Sequence, residues 1–180
     1  MDNELKKHIR KTGTTTLGIV CKDGIILAAD KRGTYGGDSG VSYIAGKDEN
    51  KIEKVNDYLA VTTAGVASDL QKVIKIVRAE LRLKELKSKS RPNIRAVANL
   101  FSAIVYQNIR QFTTIPGITH FLLSGYDEGG FYLYDVHPDG YIQKIDTYTA
   151  SGSGIMQTHP ILDSEYKKSL SIDEGVILAT

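Results

Sequence analysis

A glycine followed by three threonines, Gly13 to Thr16, lies near the start of the chain and could supply a nucleophile. A hydroxyl attacks a carbonyl at neutral pH when a base within hydrogen-bond reach takes its proton. If the chain were cleaved between Gly13 and Thr14, the freed α-amino group of Thr14, which titrates near pH ~7.7–8.0, could be that base. Gly13 would let the Thr14 hydroxyl approach the preceding carbonyl. The alternative is that these threonines are β-branched residues of an edge strand.

Other polar residues could take part in such chemistry, but each also has an ordinary structural explanation. Asp30 begins a charged Asp-Lys-Arg tripeptide of the kind found at an exposed strand end. Lys51 is one of several lysines in charged segments, and nothing in the spacing selects it over Lys31 or Lys47. The residues alone therefore leave the choice of charged partner open.

Other reaction types find little support in the sequence. Gly152-Ser153-Gly154 lacks the third glycine of a dinucleotide-binding fingerprint, and no Gly-x-Ser-x-Gly nucleophile motif is present. Ser153 could equally lie in a flexible turn or at an anion site where a helix starts. The histidines show neither metal-ligand spacing nor a nucleophile partner, so we expect no metal and no cofactor. They are His8, His120, His137 and His159.

The composition is typical of one intracellular domain. A chain of 180 residues can bury roughly 68–70% of its unfolded surface in one core. The 23 basic and 21 acidic residues are interspersed, so neither nucleic acid nor membrane is a favoured partner. The single Cys21 allows no internal disulfide, and no apolar run reaches the ~18 residues of a spanning helix. Residues 1–13 are charged and lack the apolar centre of a secretory signal.

Two β-rich runs, Thr14 to Val20 and Ile25 to Asp30, flank an Asp-Gly dipeptide and predict a hairpin. With a two-residue loop, Gly33 would lie opposite Thr14, and Asp30 about three residues along, roughly 10 Å away. A one-residue slip would turn Asp30 to the other face. The spacing alone therefore does not place Asp30 in a site.

The later elements alternate between strands and helices. Residues 34–46 predict a loop that leads through 47–50 into a short strand at 51–55, and further strands are predicted at 58–63, 120–126, 131–136 and 141–149. Helices are predicted at 68–86, from 92 onwards, at 160–168 and from 171 to the end. Ser68 or Asp69 is the predicted N-cap of the first helix, and Pro92 is the predicted first residue of the second. Ser171 and Glu174 form a capping-box pattern. This order favours antiparallel sheets packed face to face with helices outside.

Four motifs, taken in order, resemble a known family. They are Gly13 to Ile19, Asp30-Lys31-Arg32, Thr62-Thr63-Ala64-Gly65 before Ser68-Asp69, and Ser151-Gly152-Ser153-Gly154. Each motif is weak by itself, but the ordered set is similar to proteasome β subunits of the archaeal type, from Gly13 to the last residue. The resemblance implies an α+β fold, the four-layer αββα sandwich of N-terminal nucleophile hydrolases, and threonine protease activity.

The resemblance also assigns roles to individual residues. It implies that Thr14 is the nucleophile, that Lys51 lowers the pKa of the threonine and its amine, and that Asp30 holds Lys51 in place. Glu53 matches a pocket position where apolar residues also occur, which leaves the cleavage preference open. The other implied roles are an oxyanion donor at the Gly65 N–H, support of the new N-terminus by Ser153, and a substrate pocket at Gly33, Thr34, Thr63 and Ala67.

Finally, the resemblance implies a zymogen whose residues 1–13 are a propeptide, removed autocatalytically at Gly13–Thr14 from a catalytic domain over 14–180. The implied partners are other β subunits in two stacked heptameric rings, α subunits, and unfolded polypeptides as substrates in the cytoplasm. The alternatives are a non-catalytic ring subunit and another amide hydrolase of the same nucleophile class. The family continues past Thr180 with an Asp and a Ser that support the nucleophile, so we expect a chain of this length to stay unprocessed and to assemble poorly.

Overall fold

The computed structural model describes residues 13–36, 42–113 and 116–180. Most of the predicted propeptide, residues 1–12, lies outside the described residues. The strands are β1 (Thr15–Cys21), β2 (Gly24–Ala29), β3 (Gly33–Gly36), β4 (Ser42–Gly46), β5 (Ile52–Asn56), β6 (Leu59–Gly65), β7 (Thr119–Asp127), β8 (Gly130–Val136), β9 (Ile142–Ile145) and β10 (Tyr148–Gly152). The helices are α1 (Ala67–Ser88), α2 (Ile94–Arg110), α3 (Ile155–Glu165) and α4 (Ile172–Ala179).

The strands form three antiparallel sheets within the described ranges. Their orders are β10-β1-β2, β3-β4 and β5-β6-β7-β8-β9. Residues 37–41, inside the predicted loop at 34–46, lie outside the described residues, and strands β3 and β4 flank them. The antiparallel α+β class predicted from the sequence is confirmed.

The first hairpin forms as predicted, but in a different register. Cys21 pairs with Gly24, so the loop is Lys22-Asp23 and Gly24 already belongs to β2. Contacts with α4 explain this choice, because the Asp23 carboxylate accepts the Ile172 N–H at 2.9 Å. A methyl group on Gly24 would lie 2.7 Å from Ile172 Cδ1, so this glycine serves close packing. The shift brings the end of β2 to the very start of β1.

The single strand predicted over 141–149 is wrong, because the chain bends at residues 146–147 and enters two different sheets. β9 pairs with β8 in the five-stranded sheet, whereas β10 pairs with β1 in the three-stranded sheet. The Val20 N–H donates to the Thr147 carbonyl at 2.7 Å, which fixes the bend against β1. This crossing places residue 153 beside the start of β1.

Three helices begin at positions other than those predicted. The helix predicted at 160–168 is α3, which begins and ends earlier, at Ile155–Glu165. α1 begins after Val66, which provides no side-chain cap, so neither Ser68 nor Asp69 is its N-cap. α2 begins after Asn93, whose side-chain oxygen accepts the Ala96 N–H at 2.8 Å. Pro92 therefore precedes the cap instead of opening the helix.

The capping box predicted at the start of α4 is confirmed. The Ser171 side chain accepts the Glu174 N–H at 3.4 Å, and the Glu174 carboxylate accepts the Ser171 N–H at 2.8 Å. These reciprocal bonds satisfy two of the free N–H groups at the helix start.

Two apolar cores show that helices cover the outer faces of the sheets. One core lies between α1, α2 and the five-stranded sheet, and in it the rings of Phe101 and Phe121 meet edge to face with centroids 5.3 Å apart. The other lies between the three-stranded sheet and α3 and α4, and includes the fully buried Ile19 and Leu162.

The two large sheets pack directly on each other. Gly18 of β1 leaves room for Leu133 of β8, whose Cδ1 would lie 2.9 Å from an added methyl group. Across the same layer, the Thr149 hydroxyl donates to the Asp135 carboxylate at 3.0 Å. The order helices, sheet, sheet, helices is the four-layer sandwich expected from the sequence.

Among the described helices, none is long and apolar enough to cross a membrane.

Candidate active site

The Gly13–Thr14 peptide lies where the chain enters β1, next to the end of β10. Thr15 pairs with Gly152, and the Thr14 carbonyl accepts the Gly154 N–H at 3.2 Å. Gly152 has a φ of +87°, and a methyl group there would lie 2.2 Å from the Thr14 carbonyl oxygen. Only a glycine at 152 therefore allows Thr14 this close to the turn. Thr14 itself is 8% exposed.

The Ser153 side chain contacts both the backbone N–H and the backbone carbonyl of Thr14. Its Oγ accepts the Thr14 N–H at 3.2 Å and lies 3.3 Å from the Thr14 carbonyl, to which it can donate. A hydroxyl has both a donor and acceptor lone pairs, so one side chain can make both contacts. Ser153 is thus next to the nitrogen that would become an amine on cleavage.

Asp30 lies directly opposite the start of β1 because of the observed hairpin register. Its N–H donates to the Thr15 carbonyl at 3.0 Å, and its Oδ1 accepts the Thr15 N–H at 2.7 Å. The register expected from the sequence, with Asp30 roughly 10 Å from Thr14, was wrong by two residues. Because Asp30 is one residue away from Thr14 across the ladder, it is held at the junction by the sheet itself.

The charge of Asp30 is stabilised despite its partial burial. Burial raises the pKa of this carboxyl, but hydrogen bonds from Lys51 and from the N–H groups of Thr15 and Arg32 outweigh that effect. The pKa of Asp30 therefore lies below its ordinary value of 3.8. The group is an anion at neutral pH.

Lys51, just before β5, reaches across from the second sheet to this anion. Its Nζ donates to Asp30 Oδ1 at 2.8 Å, to the Gly13 carbonyl at 3.1 Å and to the Arg32 carbonyl at 2.9 Å. An ammonium has three N–H donors, so these three acceptors satisfy it fully. The side chain is only 10% exposed. Lys51 thus contacts both Asp30 and the carbonyl of the predicted scissile bond.

The backbone of Lys51 is fixed by Thr63 on the neighbouring strand β6. The Thr63 N–H and Oγ1 both donate to the Lys51 carbonyl, at 2.8 and 3.2 Å. By contrast, Lys31 points to the surface and pairs with Asp48, with side chains 69% and 84% exposed.

Gly13 is closely covered by one of the predicted pocket residues. A methyl group at Gly13 would lie 2.9 Å from Thr34 Oγ1, so a side chain at this position would displace Thr34. Gly33, the first residue of β3, packs in the same way against Glu49, whose Cγ would lie 2.7 Å from an added methyl group. A side chain before Thr14 would therefore fit only if Thr34 moved.

Gly65 and Ala67 are placed by their positions in β6 and α1. Gly65 ends β6 two residues beyond Thr63, with a φ of +133°, and a methyl group there would lie 2.2 Å from the Ile118 carbonyl oxygen. Ala67 is the exposed first residue of α1. The hydrogen bonds described above connect one group of residues, which consists of Gly13, Thr14, Asp30, Lys51, Thr63 and Ser153. Gly65 and Ala67 come shortly after Thr63 in the sequence and are not part of those hydrogen bonds.

Sequence reasoning missed the backbone groups that complete the site. The Thr15 N–H and the Arg32 N–H hold the two oxygens of Asp30, at 2.7 and 2.9 Å, and the Arg32 carbonyl is an acceptor for Lys51. Every residue has these backbone groups, so the residue types in the sequence do not indicate which of them take part in the site. The Asp-Lys-Arg tripeptide was still informative, because a carboxylate at a strand end often accepts the N–H two residues on.

The arrangement can activate one peptide bond. A buried ammonium on the Gly13 carbonyl would draw electron density from it, and the adjoining residue carries a hydroxyl. The Asp30 anion compensates the buried charge. No cofactor is needed for such chemistry, since the donors and the hydroxyl all belong to this chain.

Comparison with known proteins identifies the family of the chain. Residues 10–180 match the family model described as "Proteasome: Proteasome subunit". The chain belongs to the proteasome subunit family. Similar proteins include the proteasome subunit beta of Methanopyrus kandleri, 37% identical over 93% of this chain and 76% of that protein. Those of Methanococcus maripaludis and Ferroglobus placidus are 35% and 37% identical, over 99% and 93% of this chain and 77% and 75% of their own lengths.

Proposed function

We propose that this proteasome subunit is a catalytic β subunit, a threonine-type endopeptidase with Thr14 as its nucleophile. The observation that carries the proposal is the position of Lys51, whose buried ammonium contacts both the Gly13 carbonyl and Asp30. A subunit with only a structural role in a ring has no need of a buried cation at this peptide bond. Even a paired buried charge loses solvation free energy that an apolar residue of similar size would not lose, so its presence at this peptide bond favours a chemical role.

The first reaction of the site would be its own activation. The Thr14 hydroxyl attacks the Gly13 carbonyl carbon, the carbon–nitrogen bond breaks, and the hydroxyl proton passes to the departing nitrogen. Gly13 is then an ester on Thr14, and water hydrolyses that ester to a free carboxylate and a free hydroxyl. Residues 1–13 are in this proposal a propeptide that blocks the amine of a domain spanning 14–180.

The freed amine then serves as the base for Thr14 in substrate cleavage. Ser153 already bonds the nitrogen that becomes this amine, and Lys51 and Asp30 supply a fixed charge pair beside it. The Gly65 N–H is proposed as the donor to the developing oxyanion. Gly33, Thr34, Thr63 and Ala67 are proposed to line the pocket for the residue before the scissile bond.

The proposed assembly follows from the family. Proteasome subunits imply a particle of several subunits, and we propose two stacked heptameric β rings flanked by α subunits in the cytoplasm. Sites inside such a chamber would act on unfolded polypeptides, because folded proteins would not reach them.

A covalent label tests the assignment. The chain, extended at its C-terminus to the length of its relatives, would be assembled with an α subunit and treated with a peptide electrophile that captures hydroxyl nucleophiles, and the modified residue would be mapped by peptide mass spectrometry. We expect the label on Thr14 as the first residue, also in a Thr15→Ser control. An assembled particle whose Thr14 remains unlabelled would favour the non-catalytic ring subunit.

A further inference from the structure

A second cluster of polar side chains lies on the five-stranded sheet, on the face turned towards the other large sheet. His120 belongs to β7, Asp135 to β8, and His137 follows β8 directly. Phe121 and Val136 form the last pair between β7 and β8. His120 and His137 are the next residues beyond that pair and lie across from each other. The two imidazole rings are stacked, with centroids 5.1 Å apart.

The donor atoms of these three residues converge. His120 Nε2 lies 2.6 Å from Asp135 Oδ1, and His137 Nε2 lies 3.7 Å from Asp135 Oδ2. One ligand atom from each of the three residues lies within 4.8 Å of the other two. Among the described residues, this is the group of three His, Cys, Asp or Glu side chains that could hold a metal ion. These residues take no part in the hydrogen bonds that surround Lys51.

The spacing is close to that of ligands around one metal ion. With metal–nitrogen distances of ~2.0–2.1 Å, two ligands of a tetrahedral ion lie roughly 3.3 Å apart. The two contacts to Asp135, 2.6 and 3.7 Å, lie on either side of that value. The ligand atoms all lie within 4.8 Å of one another, so side-chain movements of at most about 1.5 Å, which would replace the hydrogen bond between His120 and Asp135, would bring all three donors to one ion.

The surroundings of the carboxylate resemble the supporting groups of a metal site. Asp135 is 5% exposed and accepts a hydrogen bond at 3.0 Å from Thr149, which lies on the other sheet. Such outer partners hold a ligating carboxylate in one orientation. The side chains of His120 and His137 are 18% and 40% exposed, which provides a route for an ion and room for a water as a fourth ligand.

We propose that His120, Asp135 and His137 bind a divalent transition-metal ion, with Zn²⁺ as the best match to two imidazoles and one carboxylate. Mg²⁺ and Ca²⁺ prefer sites made of oxygen atoms, so the donor set disfavours them. The ion would tie the start of β7 to the turn after β8. Because Thr119 pairs with Gly65 at the start of β7, the site would brace the strand next to the proposed oxyanion donor.

Direct titration of the metal-free protein tests this proposal independently of proteolysis. Co²⁺ is the probe, because its visible absorption reports its ligands, and calorimetry with Zn²⁺ gives the stoichiometry. We expect one ion per chain, with Zn²⁺ displacing Co²⁺. A folded wild-type chain that takes up no stoichiometric ion would overturn the proposal.

Three variants locate the ion. His137→Gln changes a half-exposed side chain, so the core stays intact, and its affinity should fall at least about tenfold. Thr149→Val removes only the outer hydrogen bond and should weaken binding about tenfold. The control is His159→Gln, whose side chain packs on Tyr148 away from the cluster and should bind as the wild type does. Wild-type affinity in His137→Gln would show that the ion lies elsewhere, and so would a loss in His159→Gln as large as that in His137→Gln. Wild-type affinity in Thr149→Val would show that Thr149 does not support the site.

Discussion

Replacing Lys51 by methionine should remove the chemistry of the site while leaving the fold in place. Methionine keeps most of the side-chain length but has no N–H donors. The change removes hydrogen bonds to Asp30, to the Gly13 carbonyl and to the Arg32 carbonyl. The Gly13–Thr14 peptide then loses its cation, and Asp30 keeps only its backbone donors from Thr15 and Arg32.

The size of the effect follows from burial. Removing one partner of a fully buried ion pair costs about 3–5 kcal/mol. The side chain of Lys51 is 10% exposed but that of Asp30 is 32% exposed, so solvent and two remaining N–H donors offset part of the loss. We expect a loss of about 1–3 kcal/mol of unfolding free energy and roughly 3–10 °C in Tm. Removing a preorganised electrostatic contact in the transition state lowers turnover about 10²–10³-fold.

Two assays measure these effects on particles assembled with an α subunit from chains extended to the length of the relatives. Intact mass gives the fraction of chains that begin at Thr14, and a fluorogenic peptide gives turnover. Lys31→Met is the matched control, because Lys31 is a neighbouring lysine whose ion pair with Asp48 is on the surface. The control should process and turn over peptide as the wild type does. Normal processing and turnover by Lys51→Met would refute the role assigned to this lysine.

Acid provides a second test of the same ion pair. Because the folded-state pKa of Asp30 is lowered, its contribution to stability is present above its ordinary pKa and is lost as the pH falls through the folded value. The stability difference between the wild type and Lys51→Met should therefore be full at pH 7 and shrink as the pH falls below about 4. Urea unfolding at several pH values measures it, and a difference that stays constant down to pH 2 would contradict the pairing.

Two further predictions concern stability. Tyr58→Phe removes the hydrogen bond to Glu85 (2.6 Å) and should lose about 1–2 kcal/mol in urea unfolding. Burial and Glu85 raise the pKa of Tyr58 to about 12, so the wild-type advantage should be full below pH 10 and shrink towards pH 12; an advantage that persisted there would contradict this origin. Gly65→Ala places a methyl group 2.2 Å from the Ile118 carbonyl at a φ of +133°, whereas Gly130, with a φ of +122°, has open space. Gly65→Ala should thus lower Tm more than Gly130→Ala, and equal losses would show that backbone strain alone matters.

Most of the fold could be predicted from sequence because its signals are local. Helical spacing of apolar residues located α1 and α2, and the Ser171 capping box located α4. The errors occurred where distant contacts decide. The β1–β2 turn is fixed by Ile172 of the last helix, and the strand predicted over 141–149 divides because its halves serve different sheets.

The candidate site was predictable as a set of residues but not as a geometry. The family resemblance assigned Thr14, Asp30, Lys51 and Ser153 to one site. In the structure, hydrogen bonds link Ser153 to Thr14 and Asp30 to both Thr15 and Lys51. No spacing rule could reveal that Lys51 reaches across from the other sheet. The histidine cluster was missed, although the Glu128-Gly129 turn implies the pairing that places His120 across from His137.

The most direct test of the account is peptide turnover by assembled particles that carry Thr14→Ala. This change removes the proposed nucleophile and leaves the hydrogen bonds of Lys51, Asp30 and the Thr14 backbone in place. Chains that carry this change and are extended to the length of the relatives should assemble with an α subunit, keep residues 1–13, and show no peptide turnover above background. Turnover equal to that of the wild type would contradict the assignment of Thr14 as the nucleophile.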